Sequence, residues 1–75
     1  MAKLPQLSGQ QLVKILCKYY HYTYKQTRGS HIILIKEEPI KICISVPNHD
    51  ELAKGTLLGI LHKANITKES LQEKL

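Results

Sequence analysis

The chain has only two cysteines, Cys17 and Cys43, with no metal-ligand spacing and no C-x-x-C. They form neither a zinc site nor a redox pair and read as reduced thiols of an intracellular protein. H-E-x-x-H, a P-loop and G-x-G-x-x-G are all missing, so the familiar metal and nucleotide motifs give no lead. The opening Met1-Ala2-Lys3-Leu4-Pro5 contains no apolar stretch of signal-peptide type, and nothing approaches membrane-spanning length. The expected location is the cytoplasm, with no membrane contact. Repeats, low-complexity segments and linkers are also missing, so residues 1–75 are expected to form a single domain. A chain this short buries a modest share of its surface, which argues against a deep enclosed cavity and for a shallow surface site. Acidic residues are few: 6 Asp and Glu face 11 Lys and Arg, for a formal net charge of +5. That sign favours polyanions, whether nucleic acid, an acidic protein or an anionic membrane surface.

What is present is a clear alternation of element signals. Pro5 bars helix from an extended lead-in over residues 1–7. Ser8 with Gln11 makes an S-x-x-Q capping box, and Leu12, Ile15, Leu16 and Tyr19 recur at helical spacing. Tyr20, Tyr22 and Tyr24 alternate with His21, Thr23 and Lys25, which predicts a first strand. After the turn Arg28-Gly29-Ser30, His31-Ile32-Ile33-Leu34-Ile35-Lys36 predicts a second strand, apolar on both faces. Glu37-Glu38-Pro39 predicts a turn, with the adjacent carboxylates in solvent. Ile40, Ile42, Ile44 and Val46 then alternate with Lys41, Cys43 and Ser45 in a third strand with one buried face. Pro47-Asn48-His49 ends it, and a polar connection leads to a second helix opening at Gly55-Thr56 and stopping at Asn65. Thr67 caps a short last helix that carries Glu69 in its first turn and Leu71 and Leu75 on one face. The order α-β-β-β-α, with short loops, predicts an antiparallel three-stranded meander under helices on one face, a two-layer α+β sandwich.

The sharpest local signal is Gly29-Ser30-His31. Glycine permits positive φ, serine offers a hydroxyl, and the histidine opens a strand. RNA carries its own nucleophile, the 2′-OH. An imidazole can take that proton or protonate the leaving 5′-oxygen, while nearby cations stabilise charge on the phosphate. Lys25, Arg28, Lys36 and Lys41 are the cations expected near His31. His49, in the loop after Pro47, is a secondary candidate for an acid–base pair with His31. His21 and His62 read as surface positions. The face His31 takes depends on hairpin parity. A three-residue turn pairing Lys36 with Ile40 sets Leu34 opposite Ile42 and Ile32 opposite Ile44. It leaves His31, Ile33 and Ile35 on the open face with Lys41, Cys43 and Ser45. A two-residue turn puts His31 under the helices. The first register places the polar alternates on the uncovered face and is the one adopted.

Across nearly its whole length the chain resembles the HicA family of toxin–antitoxin mRNA interferases. The likeness rests on Leu4-Pro5-Gln6-Leu7-Ser8-Gly9, Gln26-Thr27-Arg28-Gly29-Ser30-His31, Val46-Pro47-Asn48-His49, Leu52-Ala53-Lys54-Gly55-Thr56-Leu57 and Ile60-Leu61-His62-Lys63-Ala64-Asn65-Ile66, in that order. The resemblance implies a double-stranded-RNA-binding-like α-β-β-β-α fold and endoribonuclease activity on mRNA. It makes His31 the catalytic residue, requires neither metal nor cofactor, and implies neutralisation by a HicB-type antitoxin. RNA-binding residues are expected among Lys25, Arg28, Ser30, Lys36 and Lys41. The chain departs from the family pattern at three places. Tyr19-Tyr20 stand near the usual Gly-Phe, Lys54 precedes Gly55 where proline is common, and Leu58-Gly59 follow Leu57 where a basic residue is usual.

Two other readings use the same features. A non-catalytic RNA-binding module would exploit the fold and charge without cleavage, because double-stranded RNA is read by shape and backbone. A protein-interaction domain would use the apolar stripe Ile33, Ile35 and Cys43, which in a toxin would be an antitoxin docking surface.

Overall fold

Ser8 begins the first helix as the capping box requires. Its hydroxyl accepts from the Gln11 N–H at 3.1 Å, and the Gln11 side chain accepts from the Ser8 N–H at 2.9 Å. Helix α1 then runs Gly9–Tyr19, followed by β1 (Thr23–Arg28), β2 (His31–Lys36), β3 (Ile42–Pro47), α2 (Lys54–Ala64) and α3 (Lys68–Glu73). These elements belong to a computed structural model that describes residues 4–75, so the start of the lead-in, residues 1–3, lies outside the described residues.

The three strands form one antiparallel sheet in the order β1-β2-β3. Ile32 and Leu34 of β2 and Ile44 and Val46 of β3 point into the core. Both α1 and α2 pack on β3 from that side, giving one helical layer over one sheet. Leu12 and Leu16 of α1, Leu57 of α2 and Leu71 of α3 are almost wholly enclosed, each stabilising the fold by about 2 kcal/mol. The other face of β2 and β3 carries His31, Ile33, Ile35, Cys43 and Ser45, which remain partly or fully exposed. Strand β1 is exposed at all six residues, because the helices stop short of it.

The helix stops follow local chemistry. Asn65 takes the left-handed conformation (φ 58°, ψ 43°), and the Ile66 N–H reaches back to the Leu61 carbonyl at 2.9 Å. Thr67 caps α3 through the Ser70 N–H at 3.0 Å. The Tyr20 hydroxyl meets Ser70 Oγ at 2.6 Å and ties α3 to the end of α1.

Four expectations need correction. The first strand begins at Thr23, not Tyr20, because the Tyr20 and Tyr22 N–H groups both still reach the Leu16 carbonyl and the chain turns at His21 (φ 63°). Tyr22 thereby enters the core, where its hydroxyl has no hydrogen-bond partner among the described residues. The third strand begins at Ile42, so Ile40 and Lys41 join a longer loop and Ile40 is 72 % exposed. The register consequently moves by two residues: Leu34 faces Ile44, Ile32 faces Val46 and Lys36 faces Ile42. An even shift preserves the faces, so the expected division into covered and open sides holds. Finally, α3 ends at Glu73, and Leu75 lies beyond it in solvent while Leu71 is buried.

Candidate active site

Three sequence motifs meet at one end of the sheet. Arg28 pairs with His31 across a two-residue loop of Gly29 and Ser30. Gly29 has φ 61°, whereas Ser30 does not share the positive φ, which is the demand of a hairpin turn with glycine in its first central position. The Ser30 carbonyl accepts from the Asn48 N–H at 2.7 Å, so the loop after β3 is tied to the hairpin. The His49 carbonyl in turn accepts from the Gly9 N–H at 2.9 Å, and the Leu7 carbonyl from the Leu52 N–H at 2.8 Å. Gly9 is needed for this closure. A Cβ there would overlap the Pro47 carbonyl oxygen and stand 3.0 Å from the Pro47 carbonyl carbon and 3.2 Å from Asn48 Cα. Ser8-Gly9, Gly29-Ser30-His31 and Pro47-Asn48-His49 are therefore one backbone assembly.

His31 starts β2 on the open face, with its ring exposed. Its Nδ1 lies 3.2 Å from Ser45 Oγ. Ser45 stands opposite Ile33, one pleat along from Pro47, which stands opposite His31, so the two side chains meet on the diagonal of the ladder. Arg28, directly across from His31, shares its face. Lys25 is skipped by the pairing between Tyr24 and Gln26 and forms the exposed β-bulge of β1. Ser30 and His49 are exposed at the same end of the sheet.

Lys36 and Lys41 are not part of this group. Lys36 closes the other end of β2, about 16 Å along the strand from His31. It also lies on the helix-side face, with Nζ 5.8 Å from the Tyr22 ring centre. Lys41 is in the exposed loop beyond that end. A cavity of about 580 Å³, lined by His21, Thr23, Lys36, Glu37, Glu38 and Pro39, occupies that same remote end. Among the described residues, no group of three His, Cys, Asp or Glu side chains is placed to hold a metal ion. No helix of the described residues is long and apolar enough to cross a membrane.

Sequence reasoning missed the contacts of two residues of this assembly. Gly9 was legible as the start of a helix but not as a point of backbone contact with a loop far along the chain. Ser45 was assigned to the open face, and the expected register already set it directly across from His31; the two-residue shift moves it to the diagonal, and only its hydrogen bond to the ring went unread.

Elements, topology and the single covered sheet face define an α+β domain of the double-stranded-RNA-binding-like type. A family model described as HicA toxin of bacterial toxin–antitoxin matches residues 9–66. The chain belongs to the HicA toxin family. The matched span runs from the glycine of the Ser8-Gly9 clasp to the residue that closes α2, and so covers the assembly around His31 apart from the residues before Gly9. No curated protein and no solved structure matches the chain.

Proposed function

We propose that this toxin is an endoribonuclease that cleaves mRNA with His31, acts in the cytoplasm, and is silenced by a HicB-type antitoxin protein. The observation that carries the reading is an exposed imidazole with one ring nitrogen engaged by Ser45 and an arginine, Arg28, paired with His31 across the hairpin. In such a cleavage the 2′-oxygen attacks phosphorus, the bond from phosphorus to the 5′-oxygen breaks, and a 2′,3′-cyclic phosphate and a 5′-hydroxyl result. One proton leaves the 2′-OH and one arrives at the 5′-oxygen. His31 moves one of them, and Arg28 offsets charge on the phosphate oxygens. Lys25 and Ser30, exposed beside the hairpin, extend the contact along the backbone. Each phosphate so neutralised makes binding weaken as salt rises. The reaction draws on the substrate's own hydroxyl, so it needs no metal ion.

The test is a gel assay of labelled RNA with purified protein in excess EDTA. The parent should cut the RNA, leaving cyclic phosphate ends. His31→Ala should lose cutting by a factor of about a hundred or more, since positioned proton transfer contributes on that scale, while keeping its circular dichroism. A fully active His31→Ala protein, or cutting abolished by EDTA and restored by a divalent metal, refutes the reading. Salt-sensitive binding without scission would instead mark a non-catalytic RNA-binding module.

A further inference from the structure

His31 has two ring nitrogens, and the hydrogen bond to Ser45 separates their roles. Nδ1 is the one held, at 3.2 Å from Ser45 Oγ, which leaves Nε2 to exchange protons. Ser45 is well placed to hold it. Its strand neighbours Ile44 and Val46 are buried at 1 % and 0 % exposure, so the backbone that carries the hydroxyl is anchored in the core. The ring's own strand is anchored beside it by Ile32.

We propose that Ser45 is a positioning residue for His31: its hydroxyl accepts the Nδ1 proton and fixes the tautomer whose Nε2 lone pair receives the 2′-OH proton. The inference rests on the RNA-cleaving reading above. Chemistry decides the direction of the bond. An imidazolium carries protons on both nitrogens, so its Nδ1 can only donate. A hydroxyl that accepts from Nδ1 thus keeps its bond in the neutral and the charged ring alike. A hydroxyl that donated to Nδ1 would have to turn away each time the ring gained a proton. With Nδ1–H held, the proton of the 2′-OH passes to Nε2, and the oxygen's electron pair forms the bond to phosphorus. The 5′-oxygen departs with its bonding pair and takes a proton from water, and the imidazolium returns its extra proton to solvent. Protons and charge balance over the cycle.

The experiment compares Ser45→Thr with Ser45→Val in the full chain. The two side chains have nearly the same shape and both suit a strand, so the hydroxyl is the difference between them. Two-bond proton–nitrogen NMR reads the His31 tautomer above its titration. The parent and Ser45→Thr should show the proton on Nδ1, and Ser45→Val should shift to the Nε2–H form that a free imidazole favours. In the cleavage assay Ser45→Val should lose about fivefold to tenfold in kcat with KM unchanged, the worth of one hydrogen bond, and Ser45→Thr should keep parental kcat. A parent whose ring is mainly Nε2–H overturns the proposal, as does a Ser45→Val ring with the parental tautomer. A parent that fails to cut RNA removes the ribonuclease reading, while the NMR comparison still decides whether Ser45 holds the ring.

Discussion

Replacing Gly9 with alanine tests the backbone clasp directly. Elsewhere in a helix this change would stabilise, by about 0.5–1 kcal/mol, because it reduces the freedom of the unfolded chain. At Gly9 the new methyl group would overlap the Pro47 carbonyl oxygen, and the obstacle is backbone, which cannot rotate aside as a side chain would. Either α1 or the loop after β3 has to move. Overpacking of this kind costs about 1–3 kcal/mol, and stretching the Gly9–His49 hydrogen bond adds about 1 kcal/mol. After the gain from the unfolded chain, a net loss of about 1–3 kcal/mol remains. A 75-residue domain has a total stability of only about 4–11 kcal/mol. Urea unfolding is the assay, and with a slope of about 1 kcal/mol per molar the midpoint should fall by about 1–3 M. Gly55→Ala and Gly59→Ala are the controls, since nothing lies within 4 Å of a Cβ at either position. Gly59 is inside α2, and its replacement should raise the midpoint by up to about 1 M. A Gly9→Ala protein as stable as the parent would refute the clasp, and a Gly59→Ala protein less stable than the parent would show that its open face is occupied.

Tyr22→Phe should stabilise the protein by about 1 kcal/mol, because it removes a buried hydroxyl that has no partner among the described residues; calorimetry showing a loss instead would mean the hydroxyl is satisfied. The same burial holds the Tyr22 pKa above its ordinary 10.0, so the folded state keeps this proton after the unfolded chain has begun to lose it. Stability from this group is intact below pH 10 and declines as pH rises above it, and unfolding curves of Tyr22→Phe should show a shallower alkaline decline. Burial likewise pushes the Cys17 thiol up, while Cys43 is exposed on the open sheet face. Iodoacetamide followed by mass spectrometry should therefore label Cys43 well before Cys17, and equal rates would contradict the packing of α1.

The parts of the fold that the sequence made legible are those governed by neighbours in the chain. Ser8 and Gln11 cap each other, Thr67 caps α3, and Asn65 stops α2, as their side-chain chemistry demands. The covered face of the sheet was also readable, because alternation in β3 admits one inward set. The tyrosine alternation misled because a helix end followed by a left-handed His21 can reproduce a period of two by accident. At the site, Arg28 opposite His31 follows from a two-residue loop and could be read directly. Lys36 could have been excluded by counting along the predicted strand, since it lies five residues, an odd number, from His31. Its separation from His31 comes from strand length and from side-chain alternation, which together send it to the other end and the other face. Ser45 stays beside His31 in both registers, opposite it in the expected one and diagonal to it in the observed one, so its place was legible and only its hydrogen bond to the ring was not.

Strand β1 has a consequence for how the two halves of the site behave. It contacts β2 broadly but the helices only slightly, and none of its residues enters the core. Its amide protons should exchange with solvent long before those of β3, since opening it sacrifices hydrogen bonds but almost no apolar burial. Arg28 thus rides on a yielding segment, whereas His31 leads a strand whose very next residue is seated in the hydrophobic interior. The charge can follow a ligand of irregular outline while the imidazole stays where the scaffold sets it.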